Sequence, residues 1–224
     1  MPGLTPDVRV LFFNARWDNA ANSDRIVTAL IEAAPDIIAI AEGSAVAPSM
    51  ERLRAAYDFV SPCTIKKCEL LIATNFDVVR FWQLALDPWT ERFAVLEFEM
   101  PGAGPVHLVA SHLNKPWATE VARPALAQIA AQYNWLKGPV VAVGDFNMAP
   151  WSHPMRALMA DTGFRGVRGQ PASWPALLGR FGLPIDQILL REGIRAIRVT
   201  PFGDDLNSNH RGFIAELAVM PMAD

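Results

Sequence analysis

Apolar runs of strand length, most closed by a polar residue, a proline or a glycine, recur from one end of the chain to the other. They predict strands over 8–13, 36–41, 69–74, 78–84, 93–99, 105–112, 140–147, 186–190, 194–199 and 213–219. Helical spacing takes over in fewer places. Ser23 can cap a helix over 24–34, where Ile26, Leu30 and Ile31 follow helical spacing and Pro35 ends the pattern. Further helices are predicted over 47–56, over about 120–137 with Pro124 fitting the first turn, and over 153–161. The runs 69–74, 78–84 and 93–99 succeed one another across turn residues and read most simply as an antiparallel meander. No repeat, low-complexity tract or linker interrupts the series. The expected fold is α+β, a two-sheet sandwich with helices packed outside, formed as one domain over 1–224.

Hydrophobic residues make up 51% of the chain and charged residues 19%, a profile that supplies a packed core and excludes a disordered chain. The formal net charge of −3 argues against a dedicated duplex binder, whose footprint is a basic stripe. It does not exclude a nuclease, because a bound cation can supply positive charge locally. No segment approaches the ~20 apolar residues that span a bilayer. The opening MPGLTPDVRVLFF lacks a basic stretch followed by an apolar one, so the chain as written is expected in the cytoplasm. Cys63 and Cys68 are too few for a four-cysteine zinc site, and two unlinked thiols are expected ahead of a local disulfide.

Chemistry concentrates where the apolar runs end. In VVAVGDFN, residues 140–147, an extended strand would put Asp145 and Asn147 on one face and Phe146 in the core. Asn14 follows VLFF, Glu42 follows IIAIA, and His112 follows HLVAS; Asp186 opens DQILL, and His210 precedes RGFIAELAV. Carboxylates, carboxamides and histidines drawn from many strand ends are costly to bury without a task. Asn14 as a turn residue, Asp186 as a strand-start cap and either histidine as a surface group are the competing structural readings.

The ordered set resembles the endonuclease/exonuclease/phosphatase (DNase I-like) superfamily. The resemblance rests on Asn14, Glu42, the Ser-His of ASHL at His112, GDFN at 144–147, the Ile-Asp pair ending at Asp186, and the Asn-His at 209–210. These motifs span nearly the whole chain. APWS at 149–152 and PASWP at 171–175 look closer still to a bacterial subgroup that often carries this domain behind membrane-spanning helices. That subgroup implies an extracytoplasmic domain of a membrane-tethered protein, the alternative to the cytoplasm.

The resemblance implies a four-layer α/β/β/α sandwich with its site at one end, and a metal-dependent phosphoesterase. Glu42, with Asn14 beside it, would hold Mg²⁺ or Mn²⁺. Asp145 would orient or deprotonate the attacking water, and Asn147 would hold that water or a non-bridging oxygen. His210, paired with Asp186, would stabilise charge on phosphorus. His112 would contact phosphate or help protonate the leaving oxygen. A like-charge approach at ~4 Å costs about 4 kcal/mol at an effective dielectric of ~20, so a phosphodiester beside two carboxylates calls for a cation. Zinc is disfavoured, because the histidines show no HExxH spacing and none lies near the cysteines.

One departure stands out: the family usually ends in Ser-Asp-His, and this chain reads Ser208-Asn209-His210. Asn209 keeps an oxygen ligand but loses a charge, which implies weaker metal affinity and makes a second metal doubtful. Gln187, where a histidine often follows the Ile-Asp pair, is a minor change. Arg16, Lys115 and Arg211 could supplement the phosphate site, and Trp17, Trp117, Trp151 and Trp174 could stack on bases or sit against lipid. Solvated charge and rim packing are the plainer readings. The leading function is a phosphodiesterase or nuclease using in-line water attack on a phosphodiester. The alternatives are a phospholipid or small phosphate-ester hydrolase, and a pseudoenzyme that binds phosphate ligands without turnover. A monomer is assumed.

Overall fold

The computed structural model describes residues 5–63, 68–85, 91–115 and 122–220. Two mixed sheets of six strands each pack face to face. The first contains β1 (Val8–Asn14), β2 (Ile37–Ala41), β3 (Phe59–Val60), β4 (Leu70–Thr74), β11 (Ile194–Phe202) and β12 (Gly212–Val219), in the order β11-β12-β1-β2-β4-β3. The second contains β5 (Val78–Ala85), β6 (Glu91–Met100), β7 (Gly104–His112), β8 (Val140–Asp145), β9 (Arg165–Gly166) and β10 (Asp186–Arg191), in the order β5-β6-β7-β8-β10-β9. Helices α1 (Ser23–Glu32) and α2 (Met50–Ala56) cover the first sheet, and α3 (Ala122–Trp135) and α4 (His153–Thr162) cover the second. This is the four-layer sandwich that the motif order implies.

The central strands read as unbroken apolar runs because both of their faces are covered. Alternate residues sort by face. Val10, Phe12, Ile37, Ala39, Leu108, Ala110, Val141, Val143, Ile188 and Leu190 fill the space between the sheets. Leu11, Phe13, Ile38 and Ile40 meet Ile26, Val27 and Leu30 of α1 and Leu53 of α2. Val95, Val109, Val140 and Ala142 meet Ile129 and Tyr133 of α3 and Met155 of α4. Arg191 bridges the two outer helices, its buried guanidinium donating to Tyr133 O at 2.8 Å, Leu136 O at 2.6 Å and Thr162 O at 3.4 Å.

Each sheet holds one parallel pair at its centre, β1 with β2 and β7 with β8, among otherwise antiparallel neighbours. A parallel pair needs a crossover, and α1 and α3 provide it. Both parallel pairs end at the same pole, where Asn14 lies opposite Ala41 and His112 opposite Asp145.

Several sequence-based expectations need correction. The run 69–74 is not part of a meander with 78–84 and 93–99: β4 pairs with β2 in the first sheet, whereas β5, β6 and β7 form the antiparallel meander of the second. Both faces of β4 are buried, and a place beside β2 satisfies that burial. Ser23 does not cap α1; it is the first helical residue, and its hydroxyl donates to Val46 O and accepts from Ser49 N. The helix at 153–161 instead carries the side-chain cap, with Ser152 Oγ accepting from Met155 N. Cys63 and Cys68 form a disulfide, their Cα atoms 4.8 Å apart, rather than two free thiols. The two-residue strands β3 and β9 are too short for a period to register in sequence. The first residues of the helix expected over 120–137, and Trp117, lie outside the described residues.

Gly144 explains the first letter of GDFN. A Cβ there would lie 2.1 Å from the Ser111 carbonyl oxygen across the parallel pair, so β8 can approach β7 this closely only without a side chain. Gly144→Ala should lower unfolding free energy by about 2 kcal/mol or more, by analogy with overpacked cores. Urea denaturation checks this, and an unchanged midpoint would refute it.

Candidate active site

The two-residue period that builds the inter-sheet core continues past its apolar members. Val10 and Phe12 lead to Asn14, Leu108 and Ala110 to His112, and Val141 and Val143 to Asp145; Asp186 begins the row of Ile188 and Leu190. The polar cluster is therefore the end of the inter-sheet core, where the rows run out toward solvent. Asn14, His112, Asp145 and Asp186 are all buried, as are Asn147 and His210.

Asp145 sits at the centre. Asn14 Nδ2 donates to Asp145 Oδ2 at 3.2 Å and to Glu42 Oε1 at 3.3 Å, joining the first sheet to the second. The imidazole Nε2 atoms of His112 and His210 approach Asp145 Oδ2 at 3.6 and 3.7 Å. Each imidazole is held from behind by a carboxylate. His210 Nδ1 bonds Asp186 Oδ2 at 2.8 Å, and His112 Nδ1 bonds Glu69 Oε1. Two carboxylate–imidazole pairs thus converge on one carboxylate oxygen.

The loops leaving these strands turn sharply. Arg16, Glu42 and Asn147 adopt left-handed φ values of 63°, 55° and 51°, which cost a non-glycine residue about 1 kcal/mol or more each. The turn at Asn147 alters the geometry expected from sequence. β8 stops at Asp145, so Asp145 and Asn147 are not neighbours along an extended strand. The chain folds back instead, with Asn147 N donating to Asp145 Oδ1 at 2.9 Å and its Nδ2 to Leu113 O at 2.7 Å. Phe146 is buried in the outer core, as expected.

Burial pushes the Asp145 carboxyl well above the usual carboxylate range, and the negative charge of Asp186 adds to this; His112, His210 and the Asn147 N–H oppose it. For His210, burial works against the charged imidazole. The charge and hydrogen bond of Asp186, with Asp145 and Glu42, outweigh it and push the group up to about 9. His112 is likewise raised: burial opposes, but the Glu69 hydrogen bond and the charges of Asp145 and Glu69 prevail.

Glu69 is the site residue that the sequence reading missed. It stands just before β4, and the Glu42 N–H donates to its carbonyl at 2.7 Å. Its signal was an acidic residue at the edge of a fully apolar run, the same signal that marked Glu42.

The remaining candidates are placed unevenly. Arg16 is half-buried and bonded to Asp18, and Arg211 is committed to Asp204 through two hydrogen bonds at 2.5 and 2.8 Å. Lys115 is exposed. Trp17 and Trp151 project into solvent at 71% and 59% exposure, whereas Trp174 is half-buried at the neck of a loop. Asn209 is exposed beside His210, and its carbonyl accepts from Ala176 N at 2.8 Å.

An oxygen donor set suited to a hard cation is present. Glu42 and Asn14 lie together, and ligand atoms of Asp145, Asp186 and His210 lie within 4.8 Å of one another. Asp186 Oδ1 is buried with no hydrogen-bond partner among the described residues. Carboxylate and carboxamide oxygens in this number suit a hard divalent cation.

Solved structures share this architecture. An endonuclease/exonuclease/phosphatase from Bacteroides vulgatus superposes with TM-score 0.75 at 15% identity, covering 95% of this chain and 98% of that one. TDP2 of D. rerio complexed with single-strand DNA product gives TM-score 0.74 at 13% identity, covering 95% and 99%. Sphingomyelinase C from Streptomyces griseocarneus gives 0.66 at 16% identity, covering 93% and 98%. At these identities the likeness is one of fold. None of the curated proteins matches the chain. The model of the Endonuclease/Exonuclease/phosphatase family matches residues 11–210, from the middle of β1 to His210. The chain belongs to that family.

Proposed function

We propose that this chain is a Mg²⁺- or Mn²⁺-dependent phosphodiesterase that hydrolyses its substrate by in-line attack of an activated water. The observation that carries this reading is the convergence of His112 and His210 on Asp145 Oδ2, at 3.6 and 3.7 Å, beside Glu42 and Asn14. A carboxylate of raised proton affinity flanked by two imidazoles whose charged forms are favoured fits a reaction in which water loses a proton while negative charge grows on phosphorus.

Glu42 and Asn14 would hold the cation, with Asn209 as a further oxygen. When bound, the cation offsets the carboxylate charge that would otherwise repel a phosphodiester and polarises its phosphoryl oxygen. Asp145 takes the proton from the attacking water, a role favoured by its raised proton affinity. Asn147, fixed by Leu113 O, orients that water. His210, kept charged by Asp186, stabilises the phosphorane-like centre, and His112, whose charged form Glu69 favours, serves the leaving oxygen. With Arg211 held by Asp204 and Arg16 by Asp18, the imidazoles are the main fixed cations facing Asp145. Lys115, exposed three residues beyond His112, would meet a distal phosphate.

Hydrolysis of bis(p-nitrophenyl) phosphate tests the reading directly. Turnover should require Mg²⁺ or Mn²⁺, vanish in EDTA and fall about 1,000-fold in Asp145→Ala. Metal-independent turnover, or none with any divalent ion, overturns it; the second outcome would favour the phosphate-binding pseudoenzyme. Plasmid DNA, sphingomyelin and inositol phosphates offered in parallel identify the substrate.

Two further outcomes concern the cation. Mg²⁺ at saturation should raise the melting temperature of the wild-type chain by about 3 °C and leave Glu42→Ala unmoved. Calorimetry should also give Asn209→Asp about tenfold tighter Mg²⁺ binding, because ligand charge sets affinity in oxygen sites. An unchanged affinity would remove Asn209 from the metal site.

A further inference from the structure

Between Trp174 and Leu183 the chain forms a closed loop that carries apolar side chains outward. The neck is a short antiparallel bridge, with Trp174 N donating to Leu183 O at 3.0 Å and Leu183 N to Trp174 O at 2.6 Å. Inside it, Leu178 N donates to Pro175 O at 3.0 Å and Gly182 N to Gly179 O at 3.2 Å, so the tip is ordered. Yet Leu177 is 95% exposed and Phe181 76% exposed, with Leu178 and Leu183 also open to solvent. An isolated exposed leucine needs no explanation; three large apolar side chains on one hydrogen-bonded tip, with a fourth at its neck, do.

The loop adjoins the site. Ala176 N is bonded to the carbonyl of Asn209, the residue before His210, and Ser173 Oγ accepts from the Asp186 N–H at 3.0 Å. Trp17, whose N–H donates to Glu42, and Trp151, which follows the GDFN loop, are exposed around the same pole.

We infer that this loop docks the enzyme on a phospholipid bilayer, inserting Leu177 and Phe181 among the acyl chains beside the site's mouth. Two observations select a bilayer. The apolar groups project into solvent from a hydrogen-bonded loop, which suits a medium that yields around them. No carboxylate occurs from 171 to 185, and the single charge, Arg180, lies with its guanidinium 4.9 Å from the Phe181 ring centre. A cation stacked on an inserting ring sits at the depth of lipid phosphates while the ring reaches the hydrocarbon. The inference rests on the phosphodiesterase reading only in naming what the docked site would face, a lipid head-group phosphodiester.

Sedimentation with sucrose-loaded vesicles of phosphatidylcholine, with and without phosphatidylglycerol, tests the docking without turnover. The wild-type chain and Asp145→Ala should both bind, and Leu177→Asp/Phe181→Asp should lose about 100-fold in partitioning. That variant should keep wild-type melting temperature and wild-type turnover of bis(p-nitrophenyl) phosphate, since both side chains are largely exposed and neither belongs to the core or to the site. Absence of vesicle binding by the wild-type chain overturns the proposal, as does equal binding by the double variant. Phe181-dependent capture of single-stranded DNA without vesicle binding overturns it in favour of base stacking. Failure of phosphodiester turnover with vesicle binding intact would instead strike the catalytic reading and leave the docking standing.

Discussion

Burying Asp145 next to Asp186 carries an electrostatic cost that has to be offset within a few ångströms, and much of this end of the molecule is arranged to do so. Two like charges separated by ~4 Å cost about 4 kcal/mol at an effective dielectric of ~20, before desolvation is counted. The offset comes from His112 and His210, each poised on Asp145 Oδ2 and each favoured in its charged form by a second carboxylate. That solution itself adds Glu69 to the local negative charge. The divalent cation proposed beside Glu42 would offset this excess; Asp186 Oδ1 has no hydrogen-bond partner among the described residues.

The architecture makes this crowding possible. One parallel pair per sheet brings strand ends from both sheets to one pole, and the strict alternation of the inter-sheet rows aims their last residues at one another. Asn14 is the stitch between the sheets, donating to a carboxylate from each. Gly144 sets the closeness of β7 and β8 one residue before Asp145, so the position of the central carboxylate follows from a backbone approach rather than from its own side-chain contacts.

How much of this was legible in sequence depended on whether the signal was local. The period-2 parity that carries Val141 and Val143 into Asp145 is local, and so are the apolar runs ending at Asn14, Glu42 and His112. Partner choice among strands is not local, which is why 69–74 was grouped with its sequence neighbours instead of with β2. Glu69 escaped notice for the same reason: its value lies in meeting His112 across 43 positions of chain. The pairing of Cys63 with Cys68 likewise depends on a backbone that brings their Cα atoms to 4.8 Å. Asn147 failed in the opposite sense. Its neighbourhood with Asp145 was foreseen, but through a strand, whereas a left-handed turn achieves it by the N–H to Oδ1 bond.

The loop from 174 to 183 shares its anchors with the Asp186–His210 pair. Ser173 Oγ accepts from both Ile185 N and Asp186 N, while the Ser173 carbonyl accepts from Arg211 N and the Asn209 carbonyl from Ala176 N. The neck of the loop is therefore bonded on one side to the segment that delivers the carboxylate and on the other to the segment that delivers the imidazole. The neck is thereby tied to both sides of the 2.8 Å contact between Asp186 and His210. Rigid attachment of this kind argues against a freely swinging lid. It argues instead for a loop that keeps one position relative to the carboxylate–imidazole pair.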